Sequence, residues 1–297
     1  MPSQEAIFLN EMFKNMMAPP PEGQEPAPQG PPPSPELPEG VTLTELDLNG
    51  HYGELLTKEG NDGPLVFYIH GGGFCGGAAQ ERREITFHIA AERGCNVIAN
   101  NYRLSPEHKW PCHLEDCVEA WQAVLNLGYD PKRIVIMGES AGGTLTLSLP
   151  LYLRDHDMPL PAALAAFSPC TDQLELLPSH RGNADKDYIL RDGVNNETVL
   201  DAVFGLDETG EANRRTSYAS PLFADYTGMP PVFLSASDAE ALLDDSVLLH
   251  KKLTELGHPC EIDIQSGLFH AYPMIPSVPE SRETLDKAFA FVLSYIK

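Results

Sequence analysis

Three short stretches of this sequence carry residues that together can perform acyl transfer. The first is Gly138-Glu139-Ser140-Ala141-Gly142, which follows the apolar run Ile134 to Met137 and precedes a helix-compatible segment. A serine at such a strand-to-helix turn sits on a sharp, strained backbone that lifts its hydroxyl clear of the sheet. Gly138 and Gly142 supply the room the turn needs. The N–H of Ala141, at the start of the helix, would face an oxyanion. Taken alone, G-x-S-x-G also fits an ordinary strand-to-helix turn.

The second stretch, Phe67 to Phe74, places His70-Gly71-Gly72-Gly73 immediately after an apolar strand. Without side chains, backbone N–H groups can approach a ligand closely, and a tetrahedral intermediate needs such donors. Gly72, Gly73 and Ala141 are the expected oxyanion donors. A phosphate cradle fits less well, because no Gly-Lys-Ser or Gly-Lys-Thr follows and no G-x-G-x-x-G opens a helix. His70 reads as a brace for this loop.

The third stretch, Ile264 to Tyr272, carries His270 on a loop after the last predicted strand. A base there can reach Ser140. The remaining histidines fall on predicted helices, surface loops or the interval 174–217, where a packed or exposed role accounts for them. The acid that orients His270 belongs just after the strand Val232 to Ala236, where Asp238, Glu240, Asp244 and Asp245 are available. Asp244 and Asp245 fit the first turn of a following helix, whose dipole they complement. Asp238 and Glu240 remain.

These loops need a scaffold. Strands are expected near 41–48, 53–57, 64–69, 95–101, 133–138, 162–167, 231–236 and 260–265, and helices near 82–93, 112–127, 141–154, 242–257 and 280–297. After a first hairpin the two alternate, which predicts an α/β fold with a mostly parallel sheet covered on both faces. The interval 174–217 is polar and breaks that rhythm, so it reads as an insertion over the carboxyl edge of the sheet, where such folds place their sites. Residues 5–17 have helical apolar spacing. Residues 18–40 are dominated by proline, including Pro19-Pro20-Pro21 and Pro31-Pro32-Pro33, and read as an extended tether. The organisation is therefore 1–40 helix and tether, 41–173 and 218–297 core, and 174–217 insertion.

Composition excludes several function classes. Lys plus Arg total 20 against 43 for Asp plus Glu, a formal charge of −23, which would repel nucleic acid and anionic membrane surfaces. Six dispersed cysteines, without C-x-x-C spacing, read as free thiols in a reducing compartment. The amino-terminal residues lack the basic start and unbroken apolar core of a signal peptide, and no run is long enough to span a bilayer. A cytoplasmic location is the expectation, and a homodimer is left open.

With H-G-G-G-F at 70–74, Y-R-L-S-P-E-H at 102–108 and G-E-S-A-G-G at 138–143, the sequence resembles the hormone-sensitive-lipase-like esterases of the α/β-hydrolase superfamily from about Val41 onward. The resemblance implies an eight-stranded sheet, a cap made by the amino-terminal helix and the insertion, and neither metal nor organic cofactor. It implies a serine carboxylesterase with Ser140 as nucleophile, His270 as base and a small-molecule ester as substrate. The family register D-x-L-x-D-[D/E] matches Glu240 to Asp245 with glutamate at the acid position, favouring Glu240 over Asp238. Arg103 and Glu107 look like structural ties beneath the site. Serine at 105 and asparagine at 101 depart from the family's usual alanine and aspartate. Phe74, Cys75, Tyr188 and Leu268 are expected to line a closed pocket for acyl groups of about two to six carbons, since each further buried CH₂ gains only about 0.8 kcal/mol while a blocked pocket forfeits the fit. A carbohydrate acetyl esterase, an amidase or peptidase, a lactonase and a non-catalytic binding protein on the same scaffold remain alternatives.

Overall fold

The computed structural model describes residues 1–16, 34–174, 177–190, 194 and 197–297. Most of the proline-rich stretch, including both proline triplets, lies outside the described residues. Eight strands form one sheet: β1 (Val41–Asp47), β2 (Tyr52–Lys58), β3 (Leu65–Ile69), β4 (Asn96–Asn100), β5 (Ile134–Glu139), β6 (Ala163–Phe167), β7 (Val232–Ser237) and β8 (Cys260–Gln265). Their spatial order is β1-β2-β4-β3-β5-β6-β7-β8. β1 pairs antiparallel with β2 and β2 with β4, and every later pairing is parallel. The central strands β3, β5, β6 and β7 are buried along their whole length, which is why they are mostly apolar, with Glu139, Ser235 and Ser237 towards the carboxyl ends of β5 and β7.

Alternation along each strand feeds two cores. In β3, Leu65, Phe67 and Ile69 face one side with Ile134 and Ile136 of β5, while Val66 and Tyr68 face the other with Val135 and Met137. The first side is covered by α3 (Cys112–Asn126), α4 (Ala141–Asp155) and α8 (Leu243–Glu255), which contribute Trp121, Leu145 and Leu249. The second is covered by α2 (Arg83–Glu92) and α9 (Pro279–Leu293), which contribute Ile85, Ile89, Leu285 and Phe289. This two-sided cover suits a parallel sheet, because each βα unit returns its helix to one face.

Two further parts sit outside these layers. The helix α1 (Gln4–Met16) buries Ala6 and packs Leu9 and Phe13 against Leu268, Phe269, Tyr272 and Val278. Between β6 and β7 lie the short helices α5 (Pro178–Gly182), α6 (Glu197–Val203) and α7 (Glu208–Arg214). One or two turns each are too short to stand alone, so their stability comes from docking. Among the described residues no helix is long and apolar enough to cross a membrane.

Candidate active site

Ser140 closes the turn between β5 and α4 with φ 56° and ψ −122°, a backbone conformation that residues other than glycine rarely adopt. The strain is held by packing. Ser140 N–H donates to the Phe167 carbonyl at 2.9 Å, and the following turn presses against β3 so closely that a Cβ at Gly142 would lie 2.1 Å from the Ile69 carbonyl oxygen. Only glycine fits there.

His270 sits on the loop after β8, with Nε2 2.9 Å from Ser140 Oγ and Nδ1 2.8 Å from Glu240 Oε2. The loop is anchored on both sides of the imidazole: Leu268 N–H donates to Ser237 Oγ at 3.0 Å and Ala271 N–H to Ser168 Oγ at 3.2 Å. Glu240 is fully buried, and its Oε1 accepts from Ser168 Oγ and Ser237 N–H, both at 2.9 Å. Burial raises the Glu240 pKa, and the bonds from His270 and Ser237 counter that rise. For His270, burial pulls the pKa down, but the bond to Glu240 and the nearby carboxylates leave it above the ordinary imidazole value.

Asp238, the other candidate acid, is exposed and faces away from the imidazole. Its carboxylate accepts from Ser266 Oγ and Gly267 N–H, both at 2.8 Å, and so braces the loop that carries His270. Asp244 and Asp245 do fall in the first turn of α8, yet both also tie the β6–β7 segment down. Asp245 is buried, accepting from Thr171 N–H and from His180 at 2.6 Å, and Asp244 accepts from Ser179 N–H at 2.8 Å.

The glycine loop lies beside the serine. Gly72 has φ +123°, and a Cβ there would come within 2.2 Å of the Gly76 carbonyl oxygen. Among the described residues, no turn or loop hydrogen bond begins at the N–H of Gly72, Gly73 or Ala141. The loop is fixed from below by Glu139, whose carboxylate accepts from Gly71 N–H at 2.6 Å, Tyr68 O–H at 2.6 Å and Arg82 Nε at 2.5 Å. His70 stacks on Tyr102 with ring centroids 4.2 Å apart and points Nδ1 at the Gly71 carbonyl, while Tyr102 O–H donates to the His70 carbonyl at 2.8 Å. Burial drives the His70 pKa down to about 4, so it stays a neutral brace.

Two cavities meet at Ser140 and share Gly73, Ile189 and Leu190. One, of about 210 Å³, runs past Phe74, Ala141 and Leu242 under Val199 and Val203. The other, of about 310 Å³, runs past His270, Ala271, Met274 and Arg82.

Of the four residues expected to line the pocket, Phe74 does. Tyr188 and Leu268 instead border a separate groove against α1, and Cys75 is exposed and outside both cavities. The reason is local. Asp187 Oδ1 accepts from the N–H groups of Ile189 and Leu190, and this turn directs those two side chains inward while Tyr188 goes out beneath the Lys14 ammonium. Leu268 turns into the cluster with Ala6 and Tyr272. Arg103 does pair with buried Asp116, but Glu107 is exposed, so the ties beneath the serine are Arg82 and Tyr68. Among the described residues one group could offer metal ligands, His51 with Asp116 and Glu119, away from both cavities. There Asp116 is already engaged through both oxygens by Arg103.

A family profile described as the alpha/beta hydrolase fold matches residues 66–274, most of the chain. The chain belongs to that family. An acetyl-hydrolase of Streptomyces hygroscopicus is 31% identical over 232 residues, covering 78% of this chain and 76% of that protein. An esterase of Acinetobacter venetianus is 29% identical, covering 86% and 82%. Among solved structures, an esterase from the bacterial hormone-sensitive lipase family aligns over 100% of both chains with a TM-score of 0.86 and 29% identity. The structure of EstE5 soaked with p-nitrophenyl butyrate aligns over 98% of both chains with a TM-score of 0.84 and 25% identity. This kinship accounts for the eight-stranded hydrolase sheet.

Proposed function

We propose that this α/β-hydrolase is a serine carboxylesterase for short acyl esters, with Ser140, His270 and Glu240 as its catalytic residues. The observation that carries the reading is the continuous line of hydrogen bonds from Glu240 through His270 to Ser140, at 2.8 and 2.9 Å, where the two cavities meet. His270 takes the Ser140 proton as Oγ bonds to the ester carbonyl carbon. The oxygen of the tetrahedral intermediate then lies against the N–H groups of Gly72, Gly73 and Ala141. His270 returns the proton to the departing alkoxide, and water repeats the sequence on the acyl-enzyme to release the acid.

Because His270 protonates the leaving alcohol, the cavity it borders takes the alcohol. The other cavity takes the acyl chain. Its 210 Å³, the smaller of the two volumes, suits a short chain. The helix α1 and the segment 174–217 serve as the cap. Kinship with an acetyl-hydrolase and with esterases supports this range.

The test pairs fluorophosphonate labelling with hydrolysis of aryl esters from acetate to decanoate. Labelling of the wild type, its loss in Ser140→Ala, and an optimum at six carbons or fewer are expected. An optimum at long chains with activation at an interface would make the protein a lipase. No labelling would leave a binding protein on the same scaffold.

A further inference from the structure

The acyl cavity is lined mostly by apolar side chains, with one carboxamide among them. Gln173 follows β6 in the stretch Pro169-Cys170-Thr171-Asp172-Gln173 and lines the cavity together with Cys170, Ala141 and Leu242. It is 2% exposed, and its side-chain amide nitrogen has no hydrogen-bond partner. Nor, among the described residues, does its side-chain oxygen. A carboxamide has two donor hydrogens and an acceptor oxygen, and a half-turn about its last bond exchanges the two ends. Buried amides are almost always paired, so an unpaired one beside a ligand cavity calls for a partner that the protein does not supply.

The backbone that carries Gln173 is pinned. Gln173 N–H donates to Ser220 Oγ at 3.0 Å, and the N–H groups of Thr171 and Asp172 both donate to buried Asp245 Oδ1, at 2.5 and 3.0 Å. The amide is therefore held at the cavity by a backbone whose N–H groups at 171–173 are all engaged. A leucine would fill a similar space without leaving a polar group unmatched.

We propose that Gln173 is a specificity-determining residue that selects short acyl groups carrying an oxygen substituent, such as a hydroxyl or an ether, over plain alkanoyl groups of the same length. The proposal rests on the esterase reading and on the assignment of this cavity to the acyl chain. Either polarity of substituent can be met, because the amide turns its oxygen to a hydroxyl or its N–H to an ether oxygen. An alkanoyl chain gives the amide nothing to bond and takes the place of any water that would.

The test uses p-nitrophenyl esters of butyrate, 3-hydroxybutyrate and methoxyacetate, which match in chain length. Each kcat/KM is divided by the hydroxide-catalysed rate of the same ester, removing differences in intrinsic reactivity. The expected result is a normalised preference of about tenfold for the oxygenated esters in the wild type, a factor of the size one hydrogen bond to a buried polar group provides. That preference should collapse toward unity in both Gln173→Leu and Gln173→Met. A ratio that is the same in wild type and variants, with all three esters hydrolysed, overturns the role of Gln173 and leaves the esterase reading standing. Hydrolysis of none of the three by the wild type removes the esterase reading itself, and this proposal with it. Should both variants fail to fold, the wild-type ratio decides: a preference supports the proposal and its absence overturns it.

Discussion

The floor and the roof of this pocket are built by different means. The floor is the carboxyl edge of the parallel sheet, where Ser140, Glu240 and His270 sit at strand ends and each is held by backbone or buried side-chain bonds. The roof is the segment between β6 and β7, which among the described residues has three α-helices of five to seven residues and meets the floor through Asp187, His180, Ser179 and Asn183, the last donating to the Asp238 and Glu240 carbonyls, and through Val203 and Phe204 packed on the core. A reacting geometry tolerates little displacement, so it belongs on the sheet. Selection among acyl groups needs only a wall of suitable shape, and a wall can change without disturbing the chemistry beneath it.

If that division holds, changes to the floor should cost rate and changes to the roof should alter selectivity. The largest effect is expected for Glu240→Gln, with a fall of about 10⁴ in kcat, as when the acid of a serine-protease triad is neutralised, and with the protein still folded by circular dichroism. The same variant sharpens the electrostatic argument. As the proposed base His270 must be neutral to act, and Glu240 holds its pKa above the ordinary 6.5. The wild-type acid limb of kcat/KM should therefore have its midpoint above that value, and the residual activity of the variant should fall off at lower pH.

Next in size is Arg82→Met. It strips Glu139 of its cation, and Glu139 is only 1% exposed. Breaking a buried pair costs about 3–5 kcal/mol, so a clear drop in the denaturant midpoint is expected, with activity falling because the Gly71 anchor loosens. Leu190→Ala, in the roof, should leave kcat on acetate within about tenfold and move the chain-length optimum upward, a change of the size that small differences in pocket fit produce. Loss of all activity there would erase the distinction between floor and roof. The smallest effect is expected for Asp238→Asn, since an asparagine oxygen can still accept from Gly267 N–H; kcat should stay within about threefold, because bonds at exposed loops contribute little. A loss as large as that of Glu240→Gln would instead make Asp238 the acid.

The floor was far more legible than the roof in the amino-acid sequence. Ser140, the glycine run and His270 each sit beside an apolar strand, and the constraints on such turns are local, so the residue types reveal them. Glu240 required the register of the following helix as well. Ser168, Arg82 and Asp187 gave no such signal, because each acts on a partner 54 to 72 residues away in the chain. Tyr188 was misplaced by a single position. In a segment with neither a 3.6-residue nor a 2-residue period, nothing in the sequence says whether Tyr188 or Ile189 turns inward, and the Asp187 turn that decides it is visible only in three dimensions.

The docking of α1 has a consequence for the order in which the molecule is completed. Ser3 donates from its hydroxyl to Glu280 at 2.8 Å and Asn10 donates to the Gly267 carbonyl at 2.8 Å, while Phe13 lies 5.0 Å from Phe269, centroid to centroid. Apart from Tyr188 beneath Lys14 and Ile189 in the same cluster, the partners of Gln4–Met16 thus lie more than 250 residues further along the chain, and they are made long after it. Until His270 has emerged the proposed base for Ser140 is missing, and until Glu280 has emerged there is no full seat for Gln4–Met16. The proposed site and the seat of α1 therefore wait on the same stretch, Gly267 to Glu280, and a ribosome that stalls before residue 270 releases a chain that can complete neither.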